Sequence, residues 1–287
     1  MNKFLSNDVK GKSDVSKSTP GKVVKKGKAG LKIMIQVDFE GIASVVNFDE
    51  IYPGHAHFER NCKILTNEVN AAIEGASAAG ATEFIVRDGH AGNINVDPLL
   101  LDKRAMLTRG RVPGTPHTMV LGIDSTFDAL LFIGAHARAG EQIGTLSHTM
   151  SLDVLDFKIN DRPLFEPAFN ALYAGQFGVP VVFVAGDDAA CREAVLNFGN
   201  IETVTTKYAF GRTCAMSKSP EFVCDEIRAG VKNAILNIDK GTVFSLEKPY
   251  RMEVKVKVKG SETGEEIVDT CTSDNLEVIM KRFWEHL

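Results

Sequence analysis

The chain has 287 residues, 44% of them hydrophobic and 24% charged, enough to bury one large core or two smaller ones and too apolar for disorder throughout. With 33 basic against 37 acidic residues the formal charge is -4, which excludes the basic balance of a protein that wraps a phosphate backbone, so nucleic acid is not an expected partner. Apolar runs such as 129–134 and 179–185 fall far short of the ~20 residues that span a bilayer, so no membrane partner is expected and the chain reads as soluble.

Residues 1–30 carry eight lysines against Asp8 and Asp14 and have no apolar stretch of signal-peptide length; they read as a disordered, Lys-rich tail. From 31 onward short β-rich runs alternate with helical patterns, the mark of an α/β domain with a mostly parallel sheet. The first strand is expected at 33–38. A helix follows over 58–79, where Leu65, Val69, Ala72, Ile73 and Ala76 keep 3- and 4-residue spacing. Strands at 84–86 and 129–134 are continuously apolar, as strands covered on both faces tend to be. Leu155, Phe157 and Ile159 alternate with polar residues up to Asn160-Asp161, which predicts an antiparallel hairpin over 154–164. A helix at 165–176, a buried strand at 181–185 and a helix at 188–198 complete this pattern near 206.

Ser219-Pro220 opens a helix that runs to about 236. Met252, Val254, Val256 and Val258 alternate with charged residues, giving a strand with one wet face, and an amphipathic helix over 275–286 closes the chain. The expected organisation is a three-layer αβα metal-binding catalytic domain over 31–206 and a smaller α+β subdomain over 207–287. Five cysteines, an odd number with no C-x-x-C pair, point to a reducing, cytoplasmic compartment.

Ligands of open α/β sheets sit beyond the carboxyl ends of the parallel strands. The first strand ends in Asp38-Phe39-Glu40-Gly41, whose i, i+2 spacing sends both carboxylates to one side of an extended backbone. The next ends in Arg87-Asp88-Gly89-His90, and another in Gly134-Ala135-His136. If these strands are neighbours, carboxylates and imidazoles converge, a donor set suited to Zn²⁺ or a similar divalent ion. His55 and His57 read as loop residues, Asp187 and Asp188 as capping or supporting groups with Asp188 a good N-cap, Arg138 as a partner for the site's carboxylates or for a peptide carboxylate, and His117 and His286 as surface residues.

Six blocks in register carry a resemblance: Val37-Asp38-Phe39-Glu40-Gly41-Ile42, Asp88-Gly89-His90, Gly134-Ala135-His136-Ala137-Arg138-Ala139, Ser147-His148-Thr149-Met150, Ile159-Asn160-Asp161-Arg162-Pro163 with Glu166, and Val184-Ala185-Gly186-Asp187-Asp188. Together they resemble the zinc-dependent D-aminopeptidase family of the DppA type, from 33 to 188 and more weakly through the helix after Ser219. Residues 1–30 have no counterpart, and the C-terminal part is shorter than the family pattern. The resemblance implies two zinc ions, with Asp38 bridging, Glu40 and His90 completing one site and His136 and Glu166 the other. It also implies a catalytic His148, reached through a loop one residue longer than the family's, and a large, ring-like homo-oligomer.

Three crowded carboxylates could not all ionise without cations, whereas two divalent ions and one bridging hydroxide bring the set to neutrality. The expected function is that of a metallo-aminopeptidase that removes the N-terminal residue of short peptides, D-residue peptides among them, by attack of that hydroxide. Two other readings stay open on the residues: a dinuclear hydrolase of another amide or a phosphate ester, and a non-catalytic peptide-binding accessory of an uptake system.

Overall fold

The computed structural model describes residues 30–199, 201–259 and 264–287; the Lys-rich segment expected to be a tail lies outside them, apart from Gly30. Eleven strands follow in chain order: β1 (Leu31–Val37), β2 (Ala81–Asp88), β3 (Ala105–Thr108), β4 (Ala129–Ala135), β5 (Val154–Ile159), β6 (Arg162–Pro163), β7 (Val181–Asp187), β8 (Glu202–Gly211), β9 (Cys214–Ser217), β10 (Tyr250–Lys257) and β11 (Glu266–Ser273). The α-helices are α1 (Phe58–Ala78), α2 (Glu166–Gly175), α3 (Asp188–Phe198), α4 (Pro220–Leu236) and α5 (Leu276–Trp284).

Seven strands form one sheet in the order β3-β2-β1-β4-β7-β8-β9, parallel throughout except where β9 turns back on β8. Its central strands β4 and β7 are buried along their whole length, because helices cover both faces. On one face Leu65, Val69 and Ile73 of α1 and Ile227 and Val231 of α4 pack over Ile33, Ile35, Leu131 and Phe183. Each large aliphatic so buried contributes about 1.5–3 kcal/mol. On the other face Met34, Leu130, Phe132 and Val184 meet Phe169 and Leu172 of α2 and Ala190 and Ala194 of α3.

The second sheet has the order β11-β10-β5-β6. The expected hairpin at 154–164 is present as β5 and β6, and β10 pairs antiparallel with β5 on one side and β11 on the other. Phe157 of β5, Phe169 of α2 and Phe283 of α5 stack on one another, with ring centroids 4.4–5.5 Å apart. The small sheet therefore shares its core with the far face of the large one. The division expected at 206 falls inside β8, and the small sheet draws on residues from both sides of that point.

Since β1 leads to β2 on one side while β4 lies on its other side, the strand order reverses between β1 and β4. That is where a crevice opens at the carboxyl ends.

Candidate metal centre

The polypeptide leaves β1 in a tight loop held against the end of β4. Asp38 N donates to Ile133 O at 2.8 Å and Gly41 N to Gly134 O at 2.8 Å. A Cβ on Gly41 would stand 1.9 Å from Ala135 O, and one on Gly134, whose φ is +78°, would stand 2.0 Å from Asp38 O. Only glycine permits this approach, which brings residues 38–40 beside His136. Phe39 points the other way, into the core, with its ring 5.9 Å from that of Phe58 and 5.5 Å from His90.

Six side chains expected from the sequence meet here. His90 Nδ1 lies 3.4 Å from Asp38 Oδ1 and 3.1 Å from Glu40 Oε2. His136 Nε2 lies 3.6 Å from Asp38 Oδ2 and 3.1 Å from Glu166 Oε1. Two triples, Asp38–Glu40–His90 and Asp38–His136–Glu166, have their donor atoms within 4.8 Å of one another and share Asp38, and Glu40, His136 and His148 form a third. His148 stacks on His136 at 4.1 Å and presents Nε2 to Glu40 at 3.6 Å and Glu166 at 3.8 Å.

The protons on these imidazoles show what the cluster requires. His136 Nδ1 lies 2.9 Å from Ala137 O and His148 Nδ1 lies 2.8 Å from Leu146 O. A carbonyl only accepts, so Nδ1 donates, and in the neutral ring Nε2 turns a bare lone pair toward carboxylate oxygens. His136 Nε2 makes no aligned hydrogen bond despite its 3.1 Å approach to Glu166. Lone pairs facing lone pairs need positive charge between them.

The acidities agree. Burial, with the charge of Glu40 added, pushes Asp38 up to about 7. Burial alone would lower His90, but the Glu40 charge and hydrogen bonds to Asp38 and Glu40 take it up to about 10. Against burial, the histidines hold Glu40 well below the usual carboxylate range and Glu166 below it too, and Glu166 in turn holds His136 well above the usual value for histidine. Protons on His90 and His136 meet this demand in part; divalent cations fit the same carboxylate and imidazole donors.

Behind the loop is a second buried cluster that the sequence did not disclose. Lys207 of β8 is fully buried, and its ammonium donates to Glu40 O, Ile42 O and Val45 O at 2.5–2.8 Å, using all three of its hydrogens. Burial draws it down to about 8, opposed by the charges of Asp187 and Glu68. Glu68 of α1, also fully buried, accepts from Ala43 N at 2.8 Å. Strand alternation hides Lys207, because Gly186 pairs with Thr205 and Asp187 with Lys207, so a bulge at Thr206 turns two successive side chains inward.

The remaining expected residues lie apart from the cluster. Asp88 folds back on its own loop and accepts from Asn95 N, Asn95 Nδ2 and Val96 N. Asp187, not Asp188, caps α3, accepting from Ala190 N at 2.8 Å while also taking Thr145 N. Arg138 faces Glu193 at 3.6 Å and not the cluster carboxylates. His55 is exposed beside Asp49, His117 is stacked on Tyr173 at 4.3 Å rather than lying free on the surface, and His286 bonds Asp269.

The cluster opens into a cavity of about 900 Å³, walled also by residues 111–116 and by Lys281 and Trp284 of α5. This is the upper end of the ~300–1,000 Å³ range of small-molecule sites. Among the described residues no helix is long and apolar enough to cross a membrane.

A doubly covered α/β sheet with buried carboxylates and imidazoles at the mouth of such a cavity defines a hydrolase of the metal-dependent peptidase class. Residues 31–278 match the M55 peptidase family, described as D-aminopeptidase, and the chain belongs to that family. It is 39% identical over 190 residues to a D-aminopeptidase of Bacillus subtilis (strain 168), covering 66% of this chain and 68% of that one. Its fold resembles the solved structure of the Zn-dependent D-aminopeptidase DppA from Bacillus subtilis, a self-compartmentalizing protease, with a TM-score of 0.80 and 29% identity over 90% of this chain and 99% of the other.

Proposed function

We propose that this member of the D-aminopeptidase family removes the N-terminal residue from short peptides, D-residue peptides among them, at a dinuclear zinc centre. The observation that carries this reading is the pair of three-donor groups sharing Asp38. Asp38 would bridge, Glu40 and His90 would hold one ion, and His136 and Glu166 the other. Bound there, divalent ions supply an activated water near neutral pH and polarise the scissile carbonyl.

The chain's own groups do the rest. Ala137 O orients His136 through Nδ1, and Met150 N, donating to Glu166 Oε1 at 2.7 Å, fixes the carboxylate beside it. His148 is tethered by Leu146 O, and burial together with the neighbouring His136 charge lowers its pKa, so its Nε2 is unprotonated near neutrality. Its free Nε2 is placed to take a proton from the attacking water and then to pass it to the leaving amine.

Zinc-loaded protein assayed on D- and L-aminoacyl amides, with phosphate monoesters as controls, is expected to cleave the amides, to stop on chelation and to recover with zinc. Cleavage of phosphate esters alone would overturn this reading. His148→Ala is expected to keep its zinc by elemental analysis while kcat falls by about 10²–10⁴-fold; undiminished turnover would remove His148 from the mechanism. The self-compartmentalizing relative supports a homo-oligomer enclosing the sites, checked by mass in solution, and the five unpaired cysteines support a reducing, cytoplasmic setting.

A further inference from the structure

The cavity wall includes two segments that the metal chemistry does not use. Residues 109–118 form a braced loop. Arg87 of β2, fully buried, donates from Nε to Thr118 O at 2.7 Å and from its terminal nitrogens to Gly110 O at 3.0 Å. Trp284 Nε1 donates to Pro116 O at 2.5 Å and ties the loop to α5. Arg111, on this loop, donates from Nε to Ala91 O at 2.8 Å and also from Nη2. That carbonyl is one residue past His90. The guanidinium is thus tethered next to the centre by a neutral acceptor, and Nη1 has no partner among the described residues.

Lys281 of α5 also lines the cavity and makes no ion pair among the described residues. Glu277 stands one turn before it on α5, Glu285 pairs with Arg282 at 2.5 Å, and the oxygen of Leu287 accepts from Lys259. Two cations that make no ion pair among the described residues therefore line the cavity into which Asp38, Glu40 and Glu166 open. Lys281 and Trp284 also lie beyond residue 278, where the family match ends.

We propose that Arg111 and Lys281 form a carboxylate-recognition subsite that takes the free C-terminus of a short peptide whose N-terminal residue lies at the metal centre. This rests on the aminopeptidase reading above and adds the substrate class: short peptides ending in a free carboxylate, bound at both ends. A guanidinium and an ammonium on rigid supports suit a carboxylate, and binding energy from the remote end of a substrate positions the bond to be cut.

The test uses the reduced-bond isostere of D-alanylglycine, whose CH2–NH linkage cannot be hydrolysed, as the free acid and as the C-terminal amide. Glycine adds no side chain, so the two ligands differ only at the terminus. With zinc-loaded protein, calorimetry is expected to show the acid binding at least about 10-fold tighter, the worth of one charge-assisted hydrogen bond. Lys281→Ala should reduce that preference, Arg111→Ala with Lys281→Ala should abolish it, and Lys281→Glu should reverse it. Steady-state KM values for D-alanylglycine and its amide should move in parallel. Equal affinity for acid and amide in the unaltered protein, or an equal loss of both in the variants, overturns the subsite even if the peptides are cleaved. A preserved acid preference without cleavage supports the subsite and sinks the peptidase reading instead.

Discussion

The loop after β1 has buried charge on both sides, and the two sides are satisfied in different ways. In front, Asp38 and Glu40 face Glu166 and imidazole lone pairs, a set short of positive charge and open to a cavity. Behind, Lys207 spends its three hydrogens on the carbonyls of Glu40, Ile42 and Val45, so its charge is absorbed by neutral dipoles, and Glu68 Oε2 is left as the cluster's one carboxylate oxygen without a hydrogen-bond partner among the described residues. A buried polar cluster is thus informative through its unmet demand: the front is fitted to bind, the back to hold the front in place.

Removing the shared donor makes the largest difference. Asp38→Ala is expected to cost both ions and all measurable turnover, while far-UV circular dichroism stays that of the parent protein; retention of two ions by elemental analysis would break the contrast. Lys207→Met should act through the fold, because it leaves three loop carbonyls without a donor. At ~1–3 kcal/mol per buried orphaned group, the variant should lose at least about 3 kcal/mol in urea unfolding and bind zinc more weakly. Unchanged stability would mean the back of the loop is not a support.

The smallest effect concerns Glu68. Burial raises its carboxyl from 4.5 to about 8, the hydrogen bond from Ala43 and the charge of Lys207 opposing. Between those values the folded protein keeps a proton that the unfolded chain has released, so this residue lowers stability as pH rises through the window. Glu68→Gln, which still accepts from Ala43 N, should therefore melt higher than the parent near pH 8, with the gap closing toward pH 5.

Much of the front could be read from sequence, since Asp38, Glu40, His90 and His136 each stand one to three residues past the end of β1, β2 or β4. Glu166 and His148 needed the family blocks, because they lie outside strand ends, Glu166 opening α2 and His148 in the connection after β4. The back was not legible, as a bulge breaks the period of two at Thr206. The cavity wall was equally silent: residues 109–118 show only loop chemistry, and their function comes from contact with α5. Among the strands, β3 is a four-residue edge and β11 has no buried face, so neither leaves an alternating apolar signal.

The second sheet also sets an order of events during synthesis. Lys158 of β5 faces Glu253 of β10, 95 positions later, so at ~5–20 residues per second the hairpin waits roughly 5–20 s for its partner to leave the ribosome. Throughout that interval Phe157 lacks the Phe283 ring that packs on it and Ile159 the strand beside it, although β1 to β9 are already made, so truncation after β9 would leave both uncovered.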